Sequence, residues 1–128
     1  MNTKSIRTTI GIFTVIAMAF AVFSVQEASA SGVNGTNVTG TTYTDPDSGQ
    51  SVPIKRTGNG VWVEYSPNGQ FQFTEVQRDE WSVYLYDANR GMAMQIDLHQ
   101  KKITYGAADP NSGRISSIFG AYSMTSAS

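Results

Sequence analysis

From Val61 to Tyr105 apolar and polar residues alternate through five short segments, Val61–Tyr65, Phe71–Val76, Trp81–Asp87, Met92–Leu98 and Lys102–Tyr105. Successive side chains of an extended strand point to opposite faces, so a period of two assigns each residue to one side of a sheet. Short turn sequences separate the segments. Ser66–Gly69 holds a proline that presets φ and a glycine that accepts a positive one. Asp87–Gly91 offers Asn89 and Gly91 for the same purpose, and His99–Lys101 closes the last hairpin. The pattern predicts a five-stranded antiparallel meander.

Read this way, one face carries Val61, Val63, Tyr65, Phe71, Phe73, Trp81, Val83, Leu85, Met92, Met94, Ile96, Leu98, Ile103 and Tyr105. Burying such side chains at about 1.5–3 kcal/mol each supplies a core before entropy is subtracted. The other face carries Trp62, Glu64, Gln72, Thr74, Ser82, Tyr84, Tyr86, Ala93, Gln95, Asp97 and Thr104, a polar surface bearing three aromatics. The apolar face needs a cover. Ile115, Ile118, Phe119 and Tyr122 recur at the spacing of one helical stripe, which predicts a C-terminal helix; a C-terminal strand is the alternative. The expected fold is mainly β with a small α element, and a small closed barrel or sandwich that recruits one or two earlier strands is the second choice.

The segments before Val61 divide in two. Lys4 and Arg7 precede an apolar run from Ile10 to Val25, and Ala28-Ser29-Ala30 has the small residues of a cleavage site. Such a run spans roughly 24 Å as a helix, short of the ~30 Å hydrocarbon core. A cleavable signal peptide over residues 1–30 is expected, with the membrane met only during export to a periplasm or the exterior. No cysteine follows the site, which excludes a lipid anchor there. Residues 31–60 are rich in Gly, Thr, Asn, Ser and Asp and read as a polar, flexible lead-in. Short strands around Thr41–Thr44 and Ser51–Lys55 are compatible with it, the second confined to an edge by Pro53. Residues 61–128 are then a single small β-domain.

Composition narrows the chemistry. The chain has no cysteine, which excludes a disulfide framework and a Cys-based zinc site. Removing Lys4, Arg7 and Glu27 leaves seven basic and nine acidic residues of the nine and ten in the whole chain. A slightly acidic domain has no electrostatic reason to approach nucleic acid.

Candidate catalytic constellations are thin. The lone His99 lies two residues after Asp97, with Ser82 or Ser66 as a nominal nucleophile, but neither serine sits in a nucleophile elbow. Glu64 and Asp97 share the displayed face without burial to separate their pKa values, as a glycosidase pair requires. Asp45–Gly49 opens like a calcium loop, yet Arg56 stands where a bidentate glutamate would be needed. Asn34-Gly-Thr36 and Asn37-Val-Thr39 are glycosylation sequons within a Thr/Asn-rich tail. Arg78 and Arg90 are expected to pair locally with Asp79 and Asp87.

The expectation is therefore a non-catalytic exported binding module that needs no cofactor and no metal. Its site would be Trp62, Glu64, Tyr84, Tyr86, Gln95 and Asp97 on the aromatic-bearing face, and its partner a protein or a surface glycan. A self-assembling structural protein is the second reading and a small hydrolase the third.

Overall fold

The alternating segments fold as strands, and three more join them. In the computed structural model, which describes residues 32–128, the strands are β1 (Gly40–Thr44), β2 (Ser51–Gly58), β3 (Val61–Ser66), β4 (Gly69–Arg78), β5 (Ser82–Asp87), β6 (Met92–Asp97), β7 (Lys102–Ala108) and β8 (Ile115–Ala127). Each pairs antiparallel with its successor, and β8 pairs back onto β1, so the sheet closes into an eight-stranded barrel. The meander expected from the sequence is β3–β7; the five-stranded sheet capped by a helix is corrected to the closed barrel that was the second choice. The signal peptide expected over residues 1–30 lies outside the described residues.

The segment read as a polar lead-in supplies β1 and β2. Its apolar residues are few, but the period of two places them well: Tyr43, Val52 and Ile54 are buried in the core, with Thr41 beside them. The threonines pair β1 with β8. Thr41 Oγ1 donates to the Ser126 carbonyl (2.7 Å), and the Thr42 hydroxyl meets those of Thr125 and Ser126. Thr39 and Gly40 amides bond the Ser128 carbonyl, and the Ser128 amide returns to Gly40. Closure leaves no sheet edge among the described strands for another copy to extend.

The expected helix is strand β8, and its bulges explain the misleading spacing. Register shifts at Tyr105/Gly106 and Ala107/Ala108 show extra residues on β8 opposite β7. Each extra residue reverses the in/out phase. The apolar residues therefore fall out of the period of two, and Ile118 and Phe119 stand 67% and 61% exposed rather than on a buried stripe.

Inside the barrel the register brings like to like. Trp62 faces Phe73, Val83 faces Ile96, Leu85 faces Met94, and Ile96 faces Ile103. This reverses the expected phase of β3: Trp62 and Glu64 point inward, while Val61, Val63 and Tyr65 are only half-buried. The segment offers apolar residues in both phases, and a tryptophan buries more area than a valine, so the larger residue takes the interior. Trp81 is also corrected: it precedes β5, is 57% exposed and stacks on His99 with centroids 4.3 Å apart. The outer positions of β5–β7, among them Tyr84, Gln95, Asp97 and Thr104, are mostly polar around an apolar interior.

The two ends differ. Residues 33–39 lie at the end where β1 begins, and Val38 is fully buried there, with Val33 packed on the core. The Gly35 amide bonds the Glu80 carbonyl and Arg78 reaches the Val38 carbonyl. Beneath this plug the Trp62 indole N–H donates to Glu75 (2.9 Å), which is also held by Arg78 at 2.8 Å. Arg78 thus pairs with Glu75 and not with Asp79. A bulge between Glu75 and Gln77 turns Glu75 and Arg78 to the same side. The guanidinium and the indole N–H together hold the Glu75 carboxyl below its ordinary range.

Candidate functional site: the open mouth of the barrel

Successive hairpins of an up-and-down barrel alternate between its ends, so the loops after β1, β3, β5 and β7 gather opposite the plug. Here a cavity of about 280 Å³ enters the barrel. Its rim is Asp45 and Asp47 after β1, Ser66, Pro67 and Asn68 between β3 and β4, and Arg90 after β5. Its walls are Tyr43, Phe71, Phe73, Met92, Met94, Tyr105 and Tyr122, with Glu64 among them. An eight-stranded barrel is just wide enough for side chains or one small ligand, and this one is filled at one end only.

Glu64 is 7% exposed, although it is a carboxylate. Its Oε2 accepts a hydrogen bond from the Tyr43 hydroxyl (2.6 Å), and no donor among the described residues reaches Oε1. Burial pushes its pKa up, opposed by the Tyr43 hydrogen bond and by the charge of Arg90. Burial, reinforced by the adjacent carboxylate, raises the Tyr43 phenol in turn. Arg90 is held by Asp87 (Nε to Oδ2, 2.5 Å), the local pair expected from the sequence. Its guanidinium lies 3.9 Å over the Phe71 ring. Gly91, at φ 65°, turns the chain that carries it.

Three tyrosines make one wall. Tyr43 and Tyr122 stack at 4.6 Å with planes 3° apart, and Tyr105 stacks on the other side at 5.3 Å. The Tyr122 hydroxyl donates to that of Tyr105 (3.0 Å), and desolvation raises the Tyr122 pKa. The result is an aromatic cup with one buried acid in its wall.

A carboxyl whose folded pKa lies above its unfolded value stabilises the fold fully only below the unfolded value, and that contribution is lost as pH rises through the folded one. Glu64→Gln keeps an acceptor for Tyr43 but removes the charge. The variant is expected to melt at a higher temperature than the parent at pH 7, the gap closing as pH falls through the Glu range. Thermal melts of both proteins across pH 3–7 check this. A constant gap would mean that Glu64 does not carry a buried charge.

The six residues expected to form a site do not come together. Trp62 and Glu64 lie inside, whereas Tyr84, Tyr86, Gln95 and Asp97 lie on the outside of β5 and β6. The outer face is also partly covered. Arg114 sits 3.9 Å over the Tyr84 ring, and the β7–β8 loop packs Gly113 against Tyr86. Gln95 bonds the Ser82 hydroxyl, and Asp97 Oδ1 accepts the amides of His99 and Gln100. What remains is a shallow groove bordered by Asp79, Glu80, Trp81, Ser82, Tyr84, Gln95 and Asp97.

Asp45 closes its own turn by accepting from the Ser48 hydroxyl (2.6 Å), the Asx turn its sequence suggests. Sequence reasoning missed Tyr43, Arg90, Tyr105 and Tyr122 as a group. The only local signal of the three tyrosines is that each is in phase with the inward-facing residues of its strand, and it has meaning only once the barrel closes. Comparison with protein-family models, with curated proteins and with solved structures finds no match.

Proposed function

We propose that the chain is a non-catalytic, exported binding module that seats a small ligand, or one group of a larger partner, in the open mouth of its barrel. The observation that carries this reading is Glu64, a carboxylate buried in the cavity wall with one oxygen that no donor among the described residues reaches. Leaving such a group unmatched costs stability, and a chain that tolerates this cost in a cleft marks a functional position. Barrel mouths are among the common places for small-molecule sites. Asp97 is occupied by its own turn and stands outside the barrel, away from Glu64, which gives the pair no route to act as acid and base on one bond.

A second reading keeps the outer surface. Trp81 stacked on His99, beside Tyr84 and Gln95, presents flat apolar area with polar neighbours, suited to a sugar ring or a protein partner. One capture experiment separates the two. The protein is immobilised and exposed to surface polysaccharides and secreted proteins of its host, alongside Glu64→Gln and Trp81→Ala. Capture lost only in Glu64→Gln assigns the partner to the mouth. Capture lost only in Trp81→Ala assigns it to the outer groove and sinks the mouth reading.

A further inference from the structure

We propose that the group seated in the mouth is a small organic cation, a primary ammonium or guanidinium on a flat or short apolar body. This rests on the mouth being the ligand seat. The charged groups that face the cavity are Asp45, Asp47, Glu64 and Arg90. Arg90 is already neutralised by Asp87 and lies flat on Phe71, so its charge is committed to the wall. Three carboxylates remain; Arg90 acts on Glu64 through space but, among the described residues, forms no ion pair with any of the three. Two of them, Asp45 and Asp47, stand at the entrance, and the third, Glu64, is buried in the wall.

The buried group decides the class. Glu64 is 7% exposed and its Oε1 meets no donor among the described residues. A neutral hydroxyl would satisfy that oxygen but leave the buried charge uncompensated, and an anion would be repelled by all three carboxylates. A cationic N–H donor satisfies both the oxygen and the charge. The tyrosine wall suits the same ligand, because the hydroxyl oxygens of Tyr43, Tyr105 and Tyr122 offer acceptors to a desolvated cation. A volume of about 280 Å³ accommodates a ring-sized body. The cation could arrive free or at the tip of a basic side chain of a protein; the recognising chemistry is the same.

The test is an NMR titration of the ¹⁵N-labelled whole chain at pH 7 with benzylammonium, benzyl alcohol and phenylacetate, probes that share a benzyl body and differ in charge. Benzylammonium is expected to shift the amides of Glu64, Phe71 and Tyr122, and to bind about tenfold more weakly, or worse, to Glu64→Gln, the loss expected when one partner of a close charge pair is neutralised. Asp47→Asn, at an exposed loop position, is expected to weaken it severalfold. Blocked lysine amide as a fourth probe separates the sources: tighter binding than benzylammonium points to a protein-borne side chain, weaker binding to a free amine. If benzyl alcohol or phenylacetate binds the same amides as tightly as the cation, the cationic class is wrong and the seat stands. If no probe moves the mouth residues, the seat itself fails.

Discussion

Trp62→Ala is expected to lower stability by about 3–5 kcal/mol, the cost of truncating a large buried aromatic. Trp62 is fully buried, faces Phe73 across β3 and β4, and has the largest side chain among those with no exposure. Its removal opens a void that the surrounding strands cannot collapse into, because each is pinned on both sides by its neighbours in a closed sheet. It also takes a donor from Glu75, which then relies on Arg78 alone. For a domain of this size the loss is a large part of the total, and about 15–30 °C of melting temperature. Trp81→Ala is the matched control. Trp81 is half exposed and touches the ring of one histidine, so its loss is expected to stay near the ±0.5 kcal/mol of ordinary surface changes. Melts of the two variants followed by circular dichroism check the pair. Equal losses would overturn the assignment of Trp62 to the interior.

Gly106→Ala is expected to cost about 3 kcal/mol or more, at the upper end of overpacking effects. A Cβ on Gly106 would stand within van der Waals overlap of the Ser117 carbonyl oxygen and 3.0 Å from the Ile118 Cα. These are backbone atoms of β8 and no rotamer change can clear them. The clash falls at the bulge where β7 and β8 shift register, so relief requires parting the two strands that bring Tyr105 and Tyr122 together. The variant should therefore lose both stability and the mouth's aromatic wall, visible as a lower denaturation midpoint and a change in near-ultraviolet circular dichroism. Gly49→Ala is the contrast. It meets open space at φ 73°, so only the backbone cost of about 1–2 kcal/mol for a left-handed L-residue applies.

The sequence period was sufficient to locate β3–β7 because the turns between them are short and announce themselves. It also placed Tyr84, Gln95 and Asp97 on the outside. It failed where the period is interrupted or balanced. In β8 the bulges scatter Ile115, Ile118 and Phe119 into a helix-like spacing. In β3 valines and a tyrosine in one phase compete with Trp62 in the other, and the rule that charges face water turned Glu64 the wrong way. Arg78 and Glu75 came together only through a bulge that no local rule announces. The threonine-rich segment before Val61 looked too polar to fold by itself. It folds because β8 offers it a partner eighty-five residues away, as the Thr41–Ser126 bond records. Long-range closure of this kind has no signature in a local window, and the mouth, whose residues come from six strands and three loops, depends on it entirely.

The bond between Ser128 and Gly40 has a practical consequence. Ser128 is tied to the rim of the plugged end, opposite the end that carries the tyrosine wall. A tether or reporter attached at Ser128 therefore hangs from the back of the molecule, and a surface coated through that residue presents every cup outward, unobstructed.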